Sequence, residues 1–436
     1  MNYYLIGIKG AGMSALALIL NDLGYEVSGF DDDTNHEFTE DKLIERNIKI
    51  YSGDETGIND DSIIVRSTAI HDDHKEMLLA KEKELKIYEY YEMLGKLSGM
   101  FNSITIAGCH GKTTTTSLLS HVLGNIVGCN YLIGDGTGYA NKENKLFIFE
   151  ACEYMRHFLE YQPYYAIITN IDLDHVDYYK NIDDIINAYQ EYANNAEKMV
   201  IACGDDPYTH TLEVNKPIFY YGLEEDNDIV AKDVEYTNDG ISFDVFVEEN
   251  YYGHFDVPFY GKHMLLNTLA VIGVCYYERI EAKDVLKELK TFEGAARRFT
   301  ETKIGDTIIV DDYAHHPKEV KATIKAARQK YPDKKVVAVF QPHTFTRTEE
   351  FYEKLAEALN TADYQYVLDI YPSREKQEDF PNVTSKLIID LLENGDSIND
   401  NEVDKLYKYK DCVVLFMSPK EIQYIKEEYK KYLENN

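Results

Sequence analysis

The sequence predicts a protein of three α/β domains. Three observations carry this expectation: the length, a strand-and-helix rhythm that restarts twice along the chain, and two glycine-rich loops that each sit between a strand and a helix. At roughly 150 residues per domain, a chain of 436 residues exceeds what one hydrophobic core serves.

In the first unit, residues 1–96, short apolar runs at 3–8, 26–30 and 62–66 alternate with helical patterns, as in a parallel sheet with crossover helices. The first run leads into Gly10-Ala11-Gly12-Met13-Ser14-Ala15, and the second is followed by Asp31. This is the G-x-G-x-x-A spacing of a Rossmann-like domain, whose helix N-terminus receives a diphosphate. The second unit, residues 97–296, opens with a strand at 103–107. Further strands at 146–150, 165–169 and 199–202 alternate with helices. Between 218 and 259, short strands and turn signals such as Asn238-Asp239-Gly240 predict an antiparallel insertion, followed by a helix from 262 to 277. The third unit, residues 297–436, repeats the rhythm with strands near 307–310, 335–340, 364–369 and 412–417, and is expected to be a second Rossmann-like domain.

A hydrophobic share of 44% with 28% charged residues is ordinary for a globular enzyme, and no apolar run approaches the ~20 residues of a membrane span. The N-terminal apolar stretch has no basic region before it and runs into a glycine turn, so no export signal is expected. Six cysteines spread from Cys109 to Cys412 without a CxxC pair, which predicts reduced thiols in a cytoplasmic protein. The formal charge of -32 argues against nucleic acid or an anionic membrane as partner. Any anionic substrate must be held by local cations. Oligomeric state is not encoded in any feature of the sequence.

The segment Gly108-Cys109-His110-Gly111-Lys112-Thr113, with Thr114 behind it, joins a strand to a helix. Backbone N–H groups of such a turn point at an anion, Lys112 supplies a point charge, and the Thr113 hydroxyl suits a magnesium ion. The spacing GxxGKT is shorter than GxxxxGK[ST], because Ile106 stands where the usual first Gly would be.

This shortened loop is followed in order by EACEY at 150–154, TNIDLDHVDYY at 169–179, GKHMLLN at 261–267, RRF at 297–299, DDYAHHP at 311–317, FQPHTFTRT at 340–348 and DIYPSRE at 369–375. Together these motifs resemble the Mur ligases of peptidoglycan precursor synthesis, over nearly the whole chain. The resemblance implies a UDP-substrate domain, a central P-loop ATPase domain and a third domain that closes over the site. It implies ATP-dependent formation of an acyl phosphate, then capture by an amine; the motifs lie nearest the branch that joins L-alanine to UDP-N-acetylmuramate. Thr113, Glu150 and His175 would ligate Mg2+, His263 and Asn267 would reach the adenine, Arg298 the ATP phosphates and Asp311 the ribose. Tyr313, His315, His343 and Arg347 would face the amino acid and the reacting carboxylate, with His315 favoured over the adjacent His316. Gly10, Ala11, Gly12, Met13, Ser14 and Asp31 would bind the UDP moiety. Three positions depart from the family pattern: Met264 for an Asn, Thr344 for an Arg, and Lys9 for a Gly. The extra Lys9 cation has two destinations open to it, the UDP diphosphate or solvent, and solvent is the one expected.

Two other classes compete. A dehydrogenase built on the first glycine loop leaves the Gly108 loop without a purpose. A nucleotide-dependent switch needs neither paired metal ligands nor a third domain bearing His315, His343 and Arg347. Within the family, a ligase that attaches a preformed tripeptide to UDP-N-acetylmuramate shares most of the motifs.

Overall fold

The computed structural model describes every residue except Arg374 and Glu421, so Arg374 of the DIYPSRE motif lies outside the described residues. Three sheets follow one another along the chain. The first has five parallel strands in the spatial order Lys49–Tyr51, Glu26–Phe30, Asn2–Ile6, Ser62–Arg66, Lys86–Glu89.

The second sheet has ten strands, with Asn102–Ala107 between Tyr165–Ile168 and Leu146–Glu150. Its central strands are buried on both faces, which is why LFIFE at 146–150 and MVIAC at 199–203 read as unbroken apolar runs. The expected antiparallel stretch is present, and it continues this same sheet rather than standing apart from it. Ile218–Gly222 pairs parallel to Met199–Cys203, Ile229–Tyr236 begins parallel to it, and antiparallel pairing starts only with Ile241–Val247. There the pattern ISFDVFV buries every second residue, the signature of a strand with one covered face.

The third sheet runs in the order Thr300–Ile304, Thr307–Asp312, Cys412–Met417, Lys335–Phe340, Tyr364–Val367, Gly395–Ser397, and only its first pair is antiparallel. The first two domains share a packed face in which Leu16 and Leu20 join one apolar cluster with Phe147 and Phe149. Gly138 lies so close to the Ala15 carbonyl that a Cβ could not be accommodated. Among the described residues, no helix is long and apolar enough to cross a membrane.

Candidate active site

The strand Asn102–Ala107 delivers the chain into the phosphate loop, and the helix Lys112–Ile126 leaves it. Gly108 and Gly111 have φ of +141° and +85°, a region that side chains disfavour. A Cβ on Gly111 would also lie 2.9 Å from Asn267 Oδ1. The loop is braced from behind: His110 N–H donates to Asn170 Oδ1 at 3.0 Å, and the Thr169 hydroxyl and Asn170 amide donate to His110 O at 2.6 and 2.8 Å. It is therefore preformed, as an anion cradle at a helix N-terminus must be.

Lys112 points across this cradle. Its Nζ donates to Gly108 O and to both oxygens of Glu153, at 2.9 and 3.1 Å. Glu153 is fully buried; burial opposes its charge, but Lys112 and His175 outweigh that and hold the carboxyl down at about 2. Glu150 sits on the other side of Thr113, whose hydroxyl donates to Glu150 Oε2 at 3.2 Å, and it also accepts from Gly134 N–H at 2.6 Å. Burial raises the Glu150 carboxyl despite these bonds, the mark of a buried acid short of positive charge. The Thr113 hydroxyl, Glu150 and His175 are oxygen and imidazole donors of the kind a divalent cation takes. His175, Asp174 and Glu153 place ligand atoms within 4.8 Å of one another. These residues fit a cation. His175 holds a left-handed backbone, φ +49°, a strain that surrounding contacts must sustain.

The third domain closes the front. Arg298 reaches the Thr113 hydroxyl at 3.4 Å and lies over the Tyr313 ring at 4.8 Å. Arg347, on the helix Phe345–Leu359, donates to His343 Nδ1 at 3.0 Å and to Asp174 Oδ1 at 2.7 Å. The His315 ring packs edge-on to His343 at 5.6 Å, and its Nδ1 lies 3.1 Å from Tyr313 O. Burial lowers His315 to about 4, so it is neutral at pH 7. His316 turns the other way, packs at a tilt against His110 with ring centroids 4.4 Å apart, and caps the helix Pro317–Lys330.

Family models match three consecutive stretches: the Mur ligase family, catalytic domain over residues 2–102, the Mur ligase middle domain over 106–275, and the Mur ligase, glutamate ligase domain over 297–417. The chain belongs to the Mur ligase family. Similar solved structures include a UDP-N-acetylmuramate-alanine ligase from Thermotoga maritima, with a TM-score of 0.83 at 24% identity and full coverage of both chains. A murein peptide ligase from Psychrobacter arcticus 273-4 gives 0.74 at 20% identity, covering 100% of this chain and 99% of that one. A MurF ligase from Thermotoga maritima in complex with ADP gives 0.65 at 19%, covering 96% and 97%.

Within this Mur ligase fold the expected residues fall into three groups. Lys112, Thr113, Glu150, His175, Arg298, His315, His343 and Arg347 converge around the phosphate loop, and Asn267 abuts it. Tyr313 stacks on Arg298 and Arg297, on the phosphate side of the cluster. His263 stays at the surface one turn before Asn267. Asp311 is engaged by Lys426 at 2.5 Å and Arg297 at 3.5 Å.

In the first domain, Gly10 caps the helix Ala11–Asp22, Gly12 admits the Tyr90 hydroxyl where a Cβ would lie 2.9 Å away, and the Ser14 hydroxyl donates to Ala11 O at 3.0 Å. Met13 is buried, so only its backbone faces the loop. Asp31 accepts from Lys9 N–H and Asp33 N–H. Lys9 does not reach solvent, as the sequence suggested it would. It is buried and bound to Asp33 O, Asn35 O and Glu40 at 2.6 to 2.8 Å, because the loop that follows Phe30 folds back over it and presents these three acceptors to the ammonium group.

Sequence reasoning missed Glu153 and Asp174. Glu153 stands inside the EACEY motif three residues from Glu150, and Asp174 precedes His175, so both were within sight. Their partners were not.

Proposed function

We propose that the protein is a cytoplasmic ATP-dependent ligase that joins L-alanine to the lactyl carboxylate of UDP-N-acetylmuramate, releasing ADP and phosphate, in peptidoglycan precursor synthesis. One observation carries this reading: a preformed phosphate loop bearing Lys112 and the Thr113–Glu150 contact is faced by Arg298, His343 and Arg347 from the third domain. Attack of a carboxylate on the γ-phosphorus requires positioning and charge neutralisation rather than covalent help from the protein. Lys112 and Arg298 supply charge at the loop. Thr113, Glu150 and His175 would hold Mg2+, whose contribution is to offset the charge on the phosphates. The acyl phosphate is then open to the amine of L-alanine, and His315, neutral at pH 7, is suited to accept a hydrogen bond from that amine and orient it. The helix N-terminus at Gly10–Ser14 suits the UDP diphosphate, and the buried contacts of the third domain exclude water that would hydrolyse the acyl phosphate.

Phosphate release measured with UDP-N-acetylmuramate and each of L-alanine, glycine, L-serine and L-Ala-γ-D-Glu-diaminopimelate tests the proposal. L-alanine is expected to lead, with glycine down by about 10 to 200-fold, because one methyl group gives limited discrimination. Preference for the tripeptide would move the assignment to a murein peptide ligase with the ATP chemistry intact. No release with any acceptor would overturn the ligase assignment itself.

A further inference from the structure

Three side chains meet where the phosphate loop faces the third domain. His110 is in the loop, Asp172 lies in the segment after the strand Tyr165–Ile168, and His316 caps the helix Pro317–Lys330. Their atoms His110 Nε2, Asp172 Oδ2 and His316 Nε2 lie within 4.8 Å of one another. All three are buried and make no hydrogen bond, an uncommon condition for a polar atom inside a protein. His316 carries the most weight, since the residue is only 4% exposed. The other atoms of the remaining two groups are already engaged: Glu319 Oε1 lies 3.2 Å from His110 Nδ1, and Leu173 N–H donates to Asp172 Oδ1 at 3.0 Å. A carboxylate behind an imidazole fixes the tautomer whose far nitrogen is free to ligate a metal. Lys318 Nζ, paired with Asp172 Oδ2 at 2.7 Å, belongs to a side chain 64% exposed that can swing into water. His110 and Asp172 already stand 3.6 Å apart, against the ~3.4 Å edge of a tetrahedron with ~2.1 Å bonds. His316 has to turn to complete it. Its ring then carries the proton on Nδ1 and gives up the 3.4 Å contact with Lys318 N–H, a weak bond at that length.

We propose that His110, Asp172 and His316 form a binding site for a transition-metal ion, Zn2+ by ligand type, that clasps the third domain to the phosphate loop. Two imidazoles and one carboxylate with a fourth position open are a zinc set, whereas Mg2+ takes oxygen ligands and keeps its waters. His110 must shed its proton to bind, as every imidazole ligand does. The site shares no residue with the cluster of Glu153, Asp174 and His175, and it does not depend on which amine or sugar nucleotide the protein uses. One ligand comes from the third domain and two from the central one, so the ion is held only while the two are docked. It therefore stabilises the docked form by mass action.

The test is Zn2+ binding to the full chain by calorimetry, without nucleotide and in excess Mg2+, with the melting temperature recorded at each Zn2+ concentration. The unmodified protein is expected to bind Zn2+ at micromolar free ion and to melt higher with it. His316→Asn keeps an oxygen able to cap the helix but removes the ligand; it should weaken this binding by at least ~10²-fold and abolish the rise in Tm. Asp172→Asn should do the same, and Glu319→Gln, behind His110, should weaken binding by about 10-fold. His175→Ala should leave this ion in place. No Zn2+ bound by the unmodified protein at micromolar free ion, equal binding by His316→Asn or Asp172→Asn, or loss of the ion on His175→Ala in their place overturns the proposal. Where His316→Asn fails to fold, Asp172→Asn decides, since it leaves the helix cap intact.

Discussion

Arg347→Ala tests whether the third domain is locked to the site by one buried charge pair. Arg347 and Asp174 are both nearly buried, at 11% and 8% side-chain exposure, and they join segments 173 residues apart. Removing one partner of a buried pair costs about 3–5 kcal/mol, because the other charge is left without compensation. Asp174 can escape by taking a proton, and that sets a ceiling. Protonating a carboxyl of ordinary pKa near ~4 at pH 7 costs about 4 kcal/mol, at 1.36 kcal/mol per unit; at pH 5 it costs only about 1.4 kcal/mol. In the unmodified protein Arg347 outweighs burial and holds Asp174 far below the usual carboxylate range. The pair's contribution is therefore present above the unfolded pKa and lost only at strongly acid pH. The loss caused by Arg347→Ala should accordingly fall from about 3–4 kcal/mol at pH 7 to about 1.5 kcal/mol at pH 5. Calorimetric scans of both proteins at the two pH values measure this, as a drop of several degrees in the third-domain transition at pH 7 that narrows at pH 5. A difference independent of pH, or below about 1 kcal/mol at pH 7, would show that Asp174 is solvated and that the pair does not lock the domain.

Under the proposed function, Lys112→Ala should lower turnover by at least ~10²-fold, since it removes the charge that would face the transferred phosphoryl group; near-normal phosphate release would contradict the site. His110 is opposed by burial but raised by Asp172 and Glu319 from 6.5 to about 9. Its contact with Glu319 therefore stabilises docking fully below 6.5 and is lost as pH rises through about 9, so the Tm gap between the protein and His110→Gln should close over that window. Thr344 combines φ +63° with a cap on Arg347 N–H; Thr344→Gly relieves the strain and loses only a few tenths of a kcal/mol of capping, so it should be neutral or stabilising in a thermal melt, whereas Thr344→Val, without the cap, should lower Tm.

Much of the fold was legible because buried parallel strands announce themselves: CVVLFM at 412–417 is buried at every position, and no turn or amphipathic helix reads that way. Three-residue edge strands such as Lys49–Tyr51 and Gly395–Ser397 carry no comparable signal, since none of their residues is fully buried and they owe their form to the neighbour they pair with. The antiparallel edge of the central sheet was legible as alternation but not as a continuation, because pairing partners are a tertiary choice. Thr344 marked a helix start by residue type and was weighed instead as a missing cation.

The site was legible in its cations and not in their counter-ions. Lys112, Arg347 and His110 stand out by motif, but Glu153, Asp174 and Glu319 reach them from 41, 173 and 209 residues away. This matters for a chain of charge -32 whose proposed substrates are polyanions. Each of these cations already has a carboxylate, so its buried charge is compensated by the chain itself, and the pairing that holds it in place is read from the fold and not from the motif.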